Sequence, residues 1–214
     1  ALSDLGRADT HSHGPKAAIL GALASAGLSV PEGYALSAGV LDTLLDRPDF
    51  PAPAPDYPAY SQEIREWFAS CRLDSRLEEA IAAALGELSA GVSSSSVIVR
   101  TSALCEDGAA QSRAGVFESA AGITSREELL SAVCRCYASL FSDSILDDYA
   151  AGRIGRSELR AGVIVQRYVA GEVSGVAFTV DPAELDPSML SVSAVTGPCS
   201  DLTAGTVPAT TYQV

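Results

Sequence analysis

The stretch Val97-Ile-Val-Arg-Thr-Ser-Ala-Leu-Cys-Glu-Asp107 decides how this chain is read, together with the later stretch Val163-Ile-Val-Gln-Arg-Tyr-Val-Ala-Gly-Glu-Val-Ser-Gly-Val-Ala-Phe-Thr-Val-Asp-Pro182. Each begins with an apolar run of β-branched residues and continues directly into polar or charged residues that have no obvious place in a core. Strands that deliver side chains to a ligand have this pattern. The two stretches therefore predict a binding site.

Composition and charge narrow the class of protein. With 214 residues, 47% apolar content and 19% charged residues, the chain predicts a globular fold with one sizeable core or two small lobes. We expect a cytoplasmic protein, because no continuous apolar run approaches the roughly 18 residues that cross a bilayer and the first thirty residues lack a signal-peptide pattern. The formal charge of -13 opposes binding to nucleic acid or to anionic membranes, so any phosphate site must be local.

The cysteine and histidine content disfavours a metal-stapled or disulfide-stapled fold. The chain has five cysteines, an odd number, and no C-x-x-C pair. The two histidines, His11 and His13, are not at zinc-ligand spacing from Cys134 and Cys136. We therefore expect reduced, mostly packed thiols.

Apolar periodicity and turn residues predict alternating helices and strands. The helices are expected at residues 16–26, 37–45, 61–88 and 125–141, with a break near 73–75 and a polar, helical or turning stretch at 147–158. The strands are expected at residues 30–36, 97–99, 112–121, 162–168, 175–180 and 190–195. Gly27 is expected to end the first helix in a left-handed conformation, and Ser125 with Glu128 to form a capping box.

Two cations stand out beside this framework. Gly14-Pro-Lys16 begins a helix, and a glycine turn at a helix N-terminus with an adjacent lysine supplies the N–H donors and positive charge that phosphates need, although the spacing is not that of a P-loop. Arg100 follows three β-branched residues, so its guanidinium is expected to reach from a buried strand towards a polar site. The alternatives are a solvated surface role for Lys16 and an ion pair of Arg100 with Glu106 or Asp107.

Four segments carry a resemblance to a known family. They are residues 13–20 with 27–34, residues 99–103 with 106–107 and 114–118, residues 138–141, and residues 166–182. In this order they resemble the nucleotide-binding domain of the phosphoenolpyruvate synthase and pyruvate phosphate dikinase family, an ATP-grasp fold also found in rifampin phosphotransferases. The resemblance spans nearly the whole chain.

The resemblance implies a fold, cofactors and a reaction. The implied fold is α+β and ATP-grasp-like, with mixed or antiparallel sheets, flanking helices and an incomplete C-terminal lobe. Residues 1–165 would form the N-terminal lobe, and residues 166–214 the hinge and the start of the second lobe. The implied cofactors are ATP and Mg²⁺, in an ATP-dependent phosphoryl transfer through a phosphohistidine on another domain or chain.

The resemblance also implies site residues. Lys16 and Arg100 would be the catalytic ligands of the phosphates, and Asp181 would be structural or near the metal. The implied nucleotide-binding set is Gly14, Lys16, Arg100, Thr101, Ser102, Glu118, Gln166, Tyr168 and Val169. The last three match the connection between the lobes, where adenine pairs with backbone groups.

The chain departs from the family pattern at several places. Pro15 replaces the second glycine of a Gly-Gly-Lys turn, and Gly197-Pro-Cys-Ser200 stands where the family reads Gly-Leu-Gly-Glu, which removes a carboxylate suited to Mg²⁺. The resemblance implies that the phosphohistidine domain and the pyruvate-binding domain of the family are not among these 214 residues. Three hypotheses follow: the front part of a phosphotransferase, a subunit of a split enzyme that needs a protein partner, or a degenerate domain that only binds.

Overall fold

A four-stranded antiparallel sheet organises the first part of the chain. The computed structural model describes residues 1–54, 56–90, 96–106, 113, 115–180, 188–203 and 205–213. Within them the chain divides into two units, Ala1–Tyr168 and Val169–Val214. The predicted boundary between residues 165 and 166 falls inside the last strand of the first unit, and the assignment of the two parts to ATP-grasp lobes stays a prediction.

The elements of the first unit alternate between helices and strands. The helices are α1 (Thr10–His13), α2 (Pro15–Ser25), α3 (Ala38–Leu45), α4 (Tyr57–Ser70), α5 (Ser75–Ser89), α6 (Arg126–Ser139) and α7 (Asp143–Ala150), with 3-10 turns at Leu2–Asp4, Arg7–Asp9 and Arg156–Glu158. The strands are β1 (Gly33–Leu36), β2 (Val97–Ala103), β3 (Ser119–Ile123) and β4 (Ala161–Arg167). They pair in the order β1-β4-β2-β3, and every pair is antiparallel.

Helix ends follow the local signals. Gly27 has φ 80° after α2, and the Leu28 N–H donates to the Leu23 carbonyl at 3.1 Å, as expected of a left-handed C-terminal cap. At the start of α6 the Glu128 N–H donates to the Ser125 hydroxyl at 3.2 Å and the Glu128 carboxylate accepts in return, so the predicted capping box is confirmed. These backbone N–H donors also lower the pKa of Glu128.

The two faces of the sheet are covered unequally. Helices α4, α5 and α6 cover one face, where Phe68, Val99 and Tyr137 belong to the main core. On the other face Ala17 of α2 and Leu2 form a small cluster with Ile164 of β4. Because side chains alternate along a strand, residues next to each other in β2 and β4 face different covers.

Among the described residues, one segment is long and apolar enough, by length and composition, to cross a membrane, although charged and polar residues interrupt its apolar run. This segment is Arg126–Ala150, which holds α6 and α7, and 61% of its apolar window is buried within the fold. Leu129, Tyr137 and Ile145 from this segment are fully buried in the first unit. The segment therefore has the burial of a core helix pair.

The structure confirms two of the predicted elements in outline and corrects the bounds of a third. The helical stretch expected over 61–88 with a break near 73–75 is two helices, and the interruption lies at residues 71–74, where the Asp74 carboxylate accepts from the Arg76 N–H to start α5. The polar stretch expected to be helical or turning at 147–158 holds the end of α7, a turn and the 3-10 helix Arg156–Glu158. The strand expected over 112–121 is shorter, since β3 begins at Ser119 and residues 115–118 are not in a strand.

The second unit is a three-stranded antiparallel sheet. Its strands β5 (Val173–Phe178), β6 (Ser191–Thr196) and β7 (Thr210–Gln213) pair in the order β5-β6-β7, and helix α8 (Cys199–Thr203) follows β6. Periodicity predicted β5 and β6 but missed β7 and α8, which are short and lack an alternating apolar pattern. The α+β class with antiparallel sheets and flanking helices is confirmed, and the ATP-grasp assignment stays a prediction.

Candidate functional site

The register of β2 with its neighbouring strands determines from which face of the sheet the Arg100 side chain emerges. Arg100 is opposite Ile164 of β4 on one side and Ser119 of β3 on the other. Ile164 packs against Leu2 and Ala17, so this row of the sheet faces α2. Arg100 therefore emerges on the face that α2 covers, away from the main core.

Gly14 allows the start of α2 to lie directly on β2. Its φ is 80°, and a Cβ at this position would lie 2.0 Å from the Ser102 carbonyl oxygen and 2.4 Å from the Ser102 Oγ. The Ala17 N–H, one of the unsatisfied donors of the first helical turn, donates to this Oγ at 3.1 Å. Ser102 of β2 therefore supplies the cap of α2, because Gly14 at the N-cap position has no side chain that could accept this hydrogen bond.

Lys16 is held beside β2 by two oxygen atoms. Its Nζ donates to the Glu106 Oε1 at 2.8 Å and to the Thr101 carbonyl at 3.2 Å. The side chains of Lys16 and Glu106 are 25% and 14% exposed, respectively. The other carboxylate oxygen, Glu106 Oε2, is buried and has no hydrogen-bond partner in the described part of the chain. The Lys16 ammonium thus lies at the residue that follows Arg100.

Arg100 itself is half-buried, and its side chain makes no hydrogen bond or ion pair with the described residues. The alternative ion pair with Glu106 is not formed, since Glu106 pairs with Lys16 instead. Asp107, the other candidate partner, lies outside the described residues. Within the described ranges the guanidinium has its donors available for a ligand.

Thr101 and Glu118 tie β2 and β3 to α6. The Thr101 hydroxyl is fully buried, 3.1 Å from the Glu118 carbonyl and 3.2 Å from the Cys136 carbonyl. The Glu118 carboxylate lies 3.5 Å from Nε of Arg135 in α6. The structure places the Thr101 side chain on the core side of β2, opposite to Arg100 and Ser102.

The predicted hinge residues have structural contacts as well. The Gln166 amide donates to the Pro31 carbonyl at 2.8 Å, and the Tyr168 N–H donates to the Ser96 carbonyl at 2.9 Å. Val169 begins the second unit and is 63% exposed. Pairing of adenine with this backbone stays a prediction.

The candidate metal ligands in the described ranges do not lie together in one cluster. These ranges contain no group of three or more His, Cys, Asp or Glu residues that could hold a metal ion. Asp181, the predicted metal residue, lies outside the described residues. Gly197 has φ 94° and precedes α8, whose first residues, Cys199 and Ser200, offer no carboxylate. The involvement of Mg²⁺ therefore stays a prediction.

Two other cations, Arg113 and Arg167, form contacts that stabilise the fold. Arg113 is buried, donates to the Asp148 carboxylate at 2.8 and 3.0 Å, and donates to the Cys105 carbonyl at 2.7 Å. Arg153 and Arg113 together lower the pKa of Asp148. Arg167 donates to the Glu32 carboxylate at 2.8 Å. These contacts distinguish them from Arg100.

The cysteines are free thiols, and three of the five are buried. Burial raises the pKa of Cys134 and of Cys136 to about 12. Thiols with so high a pKa are inert as nucleophiles at neutral pH. They act as packing groups in the core.

A groove of about 1160 Å³ lies elsewhere on the first unit. Its lining includes Phe50, Tyr57, Tyr149 and the ion pair of Asp42 with Arg160. Its lining contains neither Lys16 nor Arg100. The groove is therefore separate from the side of β2 on which Lys16 and Arg100 lie, where the phosphates are predicted to bind.

Comparison with known proteins identifies the family of this chain. Residues 10–214 match the family described as "Pyruvate phosphate dikinase, AMP/ATP-binding domain". The chain belongs to this family. The match includes the Gly14-Pro-Lys16 turn and β2, which the fold brings together.

Three of the curated relatives are a rifampicin phosphotransferase and two phosphoenolpyruvate synthases, one of them named as probable. The chain is 34% identical over 130 residues to a rifampicin phosphotransferase of a Streptomyces species, covering 61% of this chain and 15% of that protein. It is 38% identical over 125 residues to a phosphoenolpyruvate synthase of Deinococcus radiodurans, covering 58% and 16%. It is 28% identical over 228 aligned positions to a probable phosphoenolpyruvate synthase of Methanothermobacter thermautotrophicus, covering 100% and 33%. The chain thus spans from 15% to 33% of the length of these three relatives.

Sequence reasoning missed the role of Glu106. It placed Glu106 in an acidic pair or beside Arg100, whereas the structure places it against Lys16, 90 positions earlier in the chain. No local signal identifies this partner, because the contact depends on how α2 lies on β2.

Proposed function

We propose that this chain is the ATP-binding part of a phosphoenolpyruvate-synthase-like phosphotransferase, with the ATP phosphates on the α2-facing side of β2. The observation that carries the proposal is the arrangement of Lys16 and Arg100. The Lys16 ammonium lies 3.2 Å from the carbonyl of the residue after Arg100, and Arg100 has no partner among the described residues. Cationic side chains make strong, charge-assisted hydrogen bonds to phosphate oxygens, and two that are close in the fold can bind oxygens of the same polyanion.

The two cations would divide the work of phosphate binding. Arg100 presents a planar fork that can hold two phosphoryl oxygens at once, while Lys16 acts as a single point charge. Gly14 and Ser102 would serve by placing the start of α2, and Thr101 by anchoring β2. Catalysis by these residues is charge neutralisation and positioning of the phosphoryl group, without a covalent step on the protein.

The remaining predicted residues would lie near the adenine and at the border of the phosphates. Gln166, Tyr168 and Val169 would form the ATP-grasp hinge beside adenine, and Glu118 would border the phosphates. Magnesium enters the proposal as the ion that accompanies ATP, because Mg²⁺ is commonly held by substrate phosphates and water with one or two carboxylates. The phosphate acceptor would be a histidine on another domain or chain, in a reducing, cytoplasmic setting that suits five free thiols.

A second candidate function is a degenerate ATP-grasp-like domain that binds a partner of a split enzyme without turnover. Gly197-Pro-Cys-Ser200 favours it, because this segment lacks a carboxylate that could share a metal ion with ATP.

Isothermal titration with ATP in the presence of magnesium separates the two candidates. We expect weak binding by the 214-residue chain, and a loss of at least tenfold in affinity for Lys16→Ala and for Arg100→Ala, since about 1.4 kcal/mol per lost phosphate contact corresponds to a factor of ten. Arg76→Ala is the matched control, because Arg76 is exposed on α5, a helix that packs on the main core and not on the face that α2 covers. A folded wild-type chain that gives no heat at millimolar ATP would favour the degenerate domain.

A further inference from the structure

Lys16 is the single lysine of this chain, and its charge is already engaged. Its Nζ lies 2.8 Å from the Glu106 Oε1, and both side chains are largely buried. An ion pair of this kind has no net charge, so Lys16 attracts an incoming anion weakly while Glu106 holds it. A phosphate that approaches Lys16 also meets the negative charge of Glu106.

The Glu106 carboxylate is incompletely satisfied in this arrangement. Oε1 accepts from Lys16, but Oε2 is buried and has no partner among the residues that the structure describes. A buried carboxylate oxygen without a donor is destabilising, so the ion pair is less stable than a fully hydrogen-bonded one. Arg100 differs, since it has no carboxylate partner in the described chain and can receive a phosphate without an exchange.

We propose that Glu106 competes with the nucleotide for Lys16, so that the ammonium exchanges the Glu106 carboxylate for a phosphate oxygen when ATP binds. This inference rests on the proposed function and adds a residue that sets its affinity. Arg100 would make the first contact with the phosphates, and Lys16 would follow once it leaves Glu106. The weak affinity expected of the chain then includes the free energy of separating this ion pair.

Glu106→Gln tests the exchange, because glutamine keeps the shape and an acceptor oxygen but removes the charge. A unit charge about 6 Å from a phosphate, in an effective dielectric of about 40, changes an affinity by roughly tenfold. We therefore expect Glu106→Gln to bind ATP with magnesium about five- to tenfold more tightly than the wild type. Glu78→Gln is the matched control, since Glu78 is 19% exposed and pairs with Arg126 on the far side of the core; its affinity should stay within about twofold. Thermal melting checks that each variant is folded.

The single lysine permits a direct second measurement. Protein labelled with ¹³C and ¹⁵N in lysine alone has one side-chain ammonium signal, that of Lys16. This signal should differ between wild type and Glu106→Gln without nucleotide, and should reach nearly the same position in both at saturation with ATP. Such convergence shows that Lys16 has left the carboxylate for a common ligand.

The outcomes separate the inference from the proposed function. If the wild type binds ATP, Lys16→Ala loses binding and folded Glu106→Gln binds no more tightly, only the inference is overturned. A Lys16 signal in the wild type that does not move at saturation overturns it as well. If neither the wild type nor Glu106→Gln binds ATP, both proposals are wrong.

Discussion

Replacement of Gly14 by alanine should separate α2 from β2. The backbone at Gly14 has φ 80° and ψ 160°, a region that residues with a Cβ rarely adopt. The added Cβ would lie 2.0 Å from the Ser102 carbonyl oxygen, which is strand backbone and cannot rotate away. Either α2 moves off the sheet or residue 14 changes conformation.

The cost has two parts. A residue held in such a sparsely populated conformation costs about 1–3 kcal/mol, and forcing an extra carbon into a filled contact costs about as much again. The sum of roughly 2–6 kcal/mol is a large fraction of the 5–15 kcal/mol that typically stabilises a domain. With an m value of about 2 kcal/mol/M, the urea midpoint should fall by about 1–3 M.

Urea unfolding followed by circular dichroism measures this loss, and a second glycine in the chain provides the control. Gly86 lies exposed inside α5, and a Cβ there would meet nothing within 4 Å. Gly86→Ala should therefore be neutral or stabilising by up to about 1 kcal/mol, through helix propensity alone. The two variants make the same chemical change in opposite contexts.

Equal stability of Gly14→Ala and the wild type would refute the reasoning. It would mean that α2 does not lie on β2 as closely as the structure places it, and that the position of Lys16 is not set by this contact. A loss of similar size in Gly86→Ala would likewise show that the effect is not specific to the α2–β2 contact.

Two further predictions concern polar contacts within the first unit. Ser102→Ala removes the acceptor of the buried Ala17 N–H, so we expect a loss of about 1–2 kcal/mol in chemical denaturation. Arg153 and Arg113 lower the pKa of Asp148, so its ionised form stabilises the fold above the ordinary aspartate pKa of about 4, and this contribution is lost as the pH falls through the lower folded value. Urea titrations at several pH values should show a constant stability gap between wild type and Asp148→Asn above about pH 5 that closes on further acidification.

Local sequence determined much of the framework. The cap at Gly27, the capping box at Ser125 and the strands that contain Arg100 and Gln166 were predicted, because turn preferences and apolar periodicity act over a few neighbouring residues. The family was predicted in the same way, since its motifs are contiguous segments. Elements without a strong local pattern, such as β7 and α8, were missed.

Only the tertiary structure decided which groups meet. The sequence offered Arg100 as a partner for Glu106, but the packing of α2 on β2 gives that carboxylate to Lys16 and leaves Arg100 unpaired in the described chain. The same packing places the Ser102 hydroxyl where it caps α2. Ion pairs and hydrogen bonds between distant segments depend on strand register and on the distance at which a helix lies from the sheet, and no local pattern of residues encodes either of these.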